Sequence, residues 1–432
     1  MAPEEVGLWF VFITLVSFAQ VLEFGFQPTL ARNAAYIHAG AQKLTAEGIN
    51  KEKGPLNTAL LADLLAASRW IYRRIAGLVA AVLLIPGTLY VISVLPERAN
   101  TTEILIGWMG FALGSAFNLY YGYFAGLLQG RGDWTSVNKI LICSRGGLVI
   151  LGSILVTFDF GLFGLGVAAL ICSLAARRLA HRYYFDEKRP ETPHLLTRVG
   201  EPRYLVKILW HNARRLGMAS FGAFLILRAN ILVASSFLGL KMAASYGLSM
   251  QLFMVLSSMA AVFSNVQLPR MNAIQVKQSR EELREVFGAI LIVSWGLFLS
   301  GTWFFLTLGD WVLAIIGSKT QLLPLGPMVF LAMVMLLELN HSVSATYLTT
   351  TNHVPFVAAA LWSGLGVTFL TVTLMTLTGL GVWALIVGQG IVQLVYNNWK
   401  WPIMAIDHLG GNSIGLLRAG SIDIRRLMRS PL

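Results

Sequence analysis

The sequence predicts an all-α, polytopic membrane protein built as two helical lobes. Three observations predict it. Of 432 residues, 56% are hydrophobic and 12% are charged, about half the charge fraction of a soluble domain. The apolar residues gather into about eleven runs, each long enough to cross a hydrocarbon core of ~30 Å. Short stretches recur in the two halves in the same order. No period-two alternation is sustained, so a β-barrel is not expected.

The spans are expected at 5–24, 75–95, 104–128, 138–157, 160–181, 216–238, 243–263, 286–308, 326–348, 355–377 and 379–399. Short connections favour antiparallel neighbours. Orientation follows from Lys and Arg. All but four of the 33 lie on one side; Arg98, Lys241 and Lys319 lie on the other, and Arg228 lies within a span. The rich side, with the C-terminus, is expected in the cytoplasm. The net charge of +12 therefore reads as membrane orientation and not as a nucleic-acid surface. An odd number of spans then places the N-terminus outside, although Met1–Glu5 is too short for a signal peptide. Either the first span inserts unaided or a further helix precedes it.

The repeat favours the further helix. Gly7-Leu8 and Pro28-Arg32 in the first half match Gly247-Leu248 and Pro269-Arg270 in the second, with Gly-to-Pro spacings of 21 and 22. Asn118 lies sixteen residues before Trp134, as Asn340 does before Phe356. Gly164–Leu170 matches Gly379–Leu385 almost letter for letter. The matches run in one direction, so two pseudo-twofold lobes about the membrane normal, with a central cleft, are expected. The division is 1–215 for the first lobe, 216–400 for the second and 401–432 for a cytoplasmic tail. On this symmetry the chain is one helix short of twelve.

The stretch Gly217–Leu240 carries Arg228 near mid-membrane, where a guanidinium costs at least ~2.5–3.5 kcal/mol. Two readings fit: an ion pair that fixes helix packing, or a cationic site for an anionic substrate. Arg32 and Arg270 end the repeated helices, as anchors or as an inner mouth. Arg145 lies some seven residues inside its span and either snorkels or lines the lobe. Asn118 and Tyr121 share a helical face. They offer hydrogen bonds and a ring to a polar ligand, or interhelical bonding beside Gly122 and Gly126. Gln251 is open in the same way. Glu338 and His341, three apart and near mid-depth, bind a coupling proton, or Glu338 pairs with Arg228, or they touch the substrate directly.

Basic amphipathic segments at Lys43–Arg74 and Gln275–Val286 suit an anionic inner leaflet. The tail from Asp407 is expected to lie on the membrane surface. Cys143 and Cys172 sit in apolar runs and read as core residues, with no metal site. No GxxxxGK[ST] loop is present, so no ATPase is expected, and no cofactor is implied.

Pro3-Glu4-Glu5-Val6-Gly7-Leu8-Trp9 followed by Glu23-Phe24-Gly25, Pro28 and Arg32 resembles the second helix of polysaccharide transporters. Tyr246-Gly247-Leu248 with Gln251 and Pro269-Arg270 resembles the eighth. These belong to the multidrug/oligosaccharidyl-lipid/polysaccharide exporter superfamily, and the likeness is to O-antigen flippases of the Wzx type. The resemblance implies alternating access, a bacterial inner membrane, and an undecaprenyl-diphosphate-linked oligosaccharide moved from inner to outer leaflet. Glycosyltransferases and a polysaccharide polymerase are the implied partners, besides membrane lipids. For the diphosphate, Arg228, Arg32, Arg270 and Arg145 are the candidates, since the guanidinium fork pairs phosphate oxygens. A cation-coupled drug exporter of the same superfamily is the alternative. An enzyme, such as a membrane-embedded polymerase or ligase, is disfavoured by short outside connections poor in His, Arg and acids.

Overall fold

A computed structural model describes residues 1–45, 54–96, 100–197, 203–277, 279–351, 355–410 and 412–429. The regular elements among them are all helices. Ten are long and apolar enough to cross a membrane. The chain falls into two compact units. Val11–Phe224, with Met1, forms the first; Ala2–Phe10 and Leu225–Leu432 form the second.

In the first unit, the expected span at 75–95 is the C-terminal part of a longer helix, Thr58–Ser93. It starts where the Asn57 side chain accepts the Leu60 N–H at 2.9 Å, an N-cap that satisfies one of the orphan donors. The expected amphipathic segment is thus largely the N-terminal part of this helix. Its residues 58–74 bury Leu60, Leu61, Leu64 and Leu65 against protein; residues 46–53 lie outside the described part. Near Pro86 the helix widens into a π turn, Leu83–Gly87, because proline supplies no N–H to the regular ladder.

The closest helix pair of this unit is Thr101–Tyr120 with Gly161–Tyr184. Gly107, Gly110 and Gly114 face Leu162, Gly166 and Ala169, and a Cβ on Gly166 would overlap the Gly107 carbonyl. Backbones approach this closely only over small residues. Phe26, Leu30, Leu65, Tyr72 and Phe124 join one apolar cluster.

The second unit is built on two long helices, Gly239–Lys277 and Arg280–Ile315, with Leu325–Thr349 packed on both. Two expectations change here. The span expected at 379–399 is interrupted. Val382–Val395 and Asn397–Leu409 are separate helices broken at Tyr396 (φ −141°, ψ −62°). The near-identical heptads also differ in role. Gly164 and Gly166 lie within a helix at close contacts, whereas Gly379 and Gly381 precede one, and Gly381 takes a left-handed φ of 55°.

The tail forms a further helix. Ser413–Arg429 packs against the N-terminal part of Arg280–Ile315, with Gly420 and Gly288 in backbone contact. Two of its polar residues pair with protein: Asp423, 2% exposed, takes both Arg270 amino groups at 3.0 and 2.8 Å, and Arg426 reaches Glu285 at 2.5 Å.

Candidate transport site

Within the first unit lies a cavity of about 420 Å³. Three local irregularities build it. The first is the turn after Pro3–Val21, where Phe24 (φ 51°) and Gly25 (φ 69°) are both left-handed. A non-glycine residue there is strained. Phe24 is held by its ring against Trp210, centroids 5.6 Å apart, and by Gly217, where a Cβ would meet Phe24 Cα at 2.7 Å. This turn delivers Gln20, Glu23 and Gln27 to the cavity. Glu23 accepts a hydrogen bond from the Tyr72 hydroxyl.

The second irregularity is the break at Tyr121–Gly122, between the helices Thr101–Tyr120 and Tyr123–Gly130. It turns Asn118, Tyr121 and Gln129 inward. The third is a π turn, Ile142–Gly146, inside the Trp134–Thr157 span. It places Ser144 and Arg145 on the cavity wall with Asn138. Such bulges recur at functional sites. The opposite wall, on Gly161–Tyr184, adds Ser173 and Arg177, and the Arg177 guanidinium lies 4.5 Å over the Tyr121 ring.

The lining thus holds two guanidiniums, one carboxylate, and a ring of amides and hydroxyls. Beside it, the loop between Tyr123–Gly130 and the Trp134–Thr157 span is clamped by Arg131. This side chain donates to the Tyr183 and Tyr184 carbonyls at 2.9 and 3.2 Å and pairs with Asp133 at 3.3 Å. Burial works to raise the Asp133 carboxyl. The Ser136 N–H and hydroxyl and the Arg131 charge outweigh it and hold the group below the usual carboxylate range.

Of the residues expected from sequence, Asn118, Tyr121 and Arg145 come together here. Arg32 does not; it is exposed on the helix Phe26–His38. Gln20, Gln27, Gln129, Asn138 and Arg177 join the site unannounced. Arg177 had a usable signal, Ser173 four residues earlier on the same face.

The remaining candidates lie in the second unit. Arg228 is half-buried in a helix interruption, between Arg203–Leu227 and Asn230–Phe237. Among the described residues no carboxylate lies within ion-pair distance of it, and the pairing with Glu338 is not made. Gln251 is half-buried on Gly239–Lys277. Arg270 is not open to a phosphate, because Asp423 already occupies its fork.

Glu338 sits in a buried network. Its Oε2 accepts from Gln393 Nε2 at 2.9 Å and its Oε1 lies 3.5 Å from His341 Nε2. His341 Nδ1 is 3.0 Å from Asn398 Oδ1, an acceptor, which places the N–H on Nδ1 and aims Nε2 at the carboxyl. Asn397 donates to Gln393 Oε1 at 2.6 Å and to Ser363 Oγ at 2.9 Å. The break at Tyr396 therefore lies between two partners of one pair: Gln393 before it meets Glu338, and Asn398 after it meets His341.

No family model and no curated protein matches the chain. Solved structures do. An inward-facing multidrug resistance MATE family transporter of the MOP superfamily is 14% identical over 94% of this chain and 92% of its own, with a TM-score of 0.76. An outward-facing MATE transporter is 16% identical, covering 100% and 90%, with a TM-score of 0.58. A MOP superfamily transporter from Pyrococcus furiosus, described as having a binding pocket of reverse polarity, is 15% identical, covering 95% and 89%, with a TM-score of 0.58. At these identities the likeness is one of fold: the chain is an all-helical membrane protein with the two-lobed fold of MATE transporters.

Proposed function

We propose that this protein flips a lipid-linked oligosaccharide from the inner to the outer leaflet of a bacterial inner membrane by alternating access. The polar cavity of the first unit would receive the diphosphate and the adjoining sugar. One observation carries the reading: Arg145 and Arg177 share a single cavity with five carboxamides and the Tyr121 ring. Two forks suit the oxygens of a diphosphate, and carboxamides with an aromatic face suit a sugar's hydroxyls and ring. In this reading glycosyltransferases supply the substrate and a polymerase consumes it.

The resemblance seen in sequence supports the polysaccharide branch, while the MATE neighbours keep a second reading open, a cation-coupled drug exporter, for which Glu23 would be the cavity's cation partner. The two differ in the sign of the ligand. Purified protein should bind undecaprenyl diphosphate and not a lipophilic organic cation such as ethidium, measured by fluorescence competition. Saturable ethidium binding without diphosphate competition overturns the flippase reading.

The second unit would supply coupling. His341 Nε2 faces Glu338 Oε1 at 3.5 Å, and this pair would carry the coupling proton. Losing it leaves a buried negative charge, which is costly enough to bias a conformation. Glu338→Gln keeps the Gln393 contact and removes the titration. Transport in vesicles is expected to lose its dependence on a pH gradient; a retained dependence removes Glu338 from the coupling role.

A further inference from the structure

The Trp134–Thr157 helix is the least covered of the spans: 6% of its apolar window is buried, against 22–50% for the others. With Gly161–Tyr184 it forms a wall, and the wall has two different sides. Ser144, Arg145, Ser173 and Arg177 line the polar cavity. The alternate positions Cys143, Gly146, Ile150, Ile171, Cys172 and Ala175 line a second hollow, an apolar groove of about 450 Å³. Its rim is outward-facing, with Ile142, Ile150 and Ile171 at 68%, 66% and 50% exposure. The groove exists because Gly146, Gly147 and Ala175 project little or nothing into it.

We propose that this groove is the subsite for the isoprenoid tail of the same lipid whose charged head enters the cavity. The proposal rests on the head-group reading above. Three features select a tail over any other occupant. The groove is apolar where the adjoining cavity is cationic, so the two together match one amphiphile with an anionic head. They are continuous through neighbouring residues: Cys143 faces the groove, and Ser144 and Arg145 the cavity; Cys172 faces the groove, and Ser173 the cavity. Their order along the helix is also that of an inner-leaflet lipid. Cavity residues begin at Trp134, at the expected inner end, while the groove runs from Ile142 to Ile154. From Arg145 to Ile154 the helix rises ~14 Å toward mid-membrane, room for several isoprene units. Burying a tail there adds affinity in proportion to the methylenes covered, where the diphosphate contributes charge pairing alone.

The test uses the full chain in detergent, with inorganic diphosphate and farnesyl diphosphate as probes in calorimetry. Gly146→Leu and Ala175→Leu fill the groove at open positions; a Cβ on Gly146 meets only Ile142, at 3.6 Å. In each variant farnesyl diphosphate is expected to weaken roughly tenfold while inorganic diphosphate is unchanged. Arg145→Ala should weaken both probes alike. Unchanged farnesyl diphosphate binding in both filled variants overturns the tail subsite and leaves the head site standing. Displacement of farnesyl diphosphate by equimolar phosphatidylglycerol also overturns it, because the groove would then accept any acyl chain. Absence of diphosphate binding in the unmodified protein brings down the head site and the tail subsite together.

Discussion

Gly166→Leu is expected to destabilise the first unit severely. The side chain would enter the Gly107 carbonyl, and a Cβ on Gly110 or Gly114 would lie only 3.0 Å from the backbone of Gly166 or Ala169. No flexible atom can yield there, since the obstruction is main chain on both sides. Relief requires the helices Thr101–Tyr120 and Gly161–Tyr184 to part, which loses contacts along the whole pair. Overpacking ordinarily costs 1–3 kcal/mol, and a backbone clash belongs at or above the top of that range. Since native stabilities are ~5–15 kcal/mol, most of the margin of a marginal protein would go. Thermal unfolding by tryptophan fluorescence in detergent should show a fall in Tm of many degrees, with little protein recovered. Gly296→Leu is the control, because a Cβ there meets nothing within 4 Å.

The second large effect is functional. Arg145→Ala and Arg177→Ala should each reduce transport of a lipid-linked glycan by about ten- to a hundredfold, the range for losing a charge-assisted hydrogen bond of ~1.5–3 kcal/mol. The double variant should fall short of the product, since both forks would grip one ligand. Abundance should stay near normal for Arg145→Ala, because this side chain is exposed on a sparsely covered helix. Arg145→Lys separates charge from geometry: a lysine keeps the cation and loses the planar fork. Vesicle transport assays with matched protein levels decide it. Full activity of the double alanine variant would remove this cavity from the transport path.

The sequence carried the fold class because a bilayer imposes a length and a polarity on each helix, and both are written locally. Part of the site was equally local: Asn118, Tyr121 and Arg145 are polar residues in apolar runs. What stayed hidden depends on partners far along the chain. Arg270 looked like a free cation until Asp423, 153 residues later, folded back onto it. Glu338 looked like a match for Arg228, but Gln393 and His341 satisfy it first. The interruption at Tyr396 has no proline or glycine to announce it. Polar contacts flank it, Gln393 with Glu338 before and Asn398 with His341 after, and a count of apolar residues cannot register them.

The π turn at Ile142–Gly146 is what one surplus residue does to a helix. Each residue beyond such an insertion is rotated by about 100° relative to an uninterrupted register. A single inserted codon is therefore enough to redistribute side chains between the two sides of the wall, without a substitution at any of them. A helix of this kind can acquire or exchange a ligand by a change in length alone, and related chains that bind different cargo need differ there by no more than one residue.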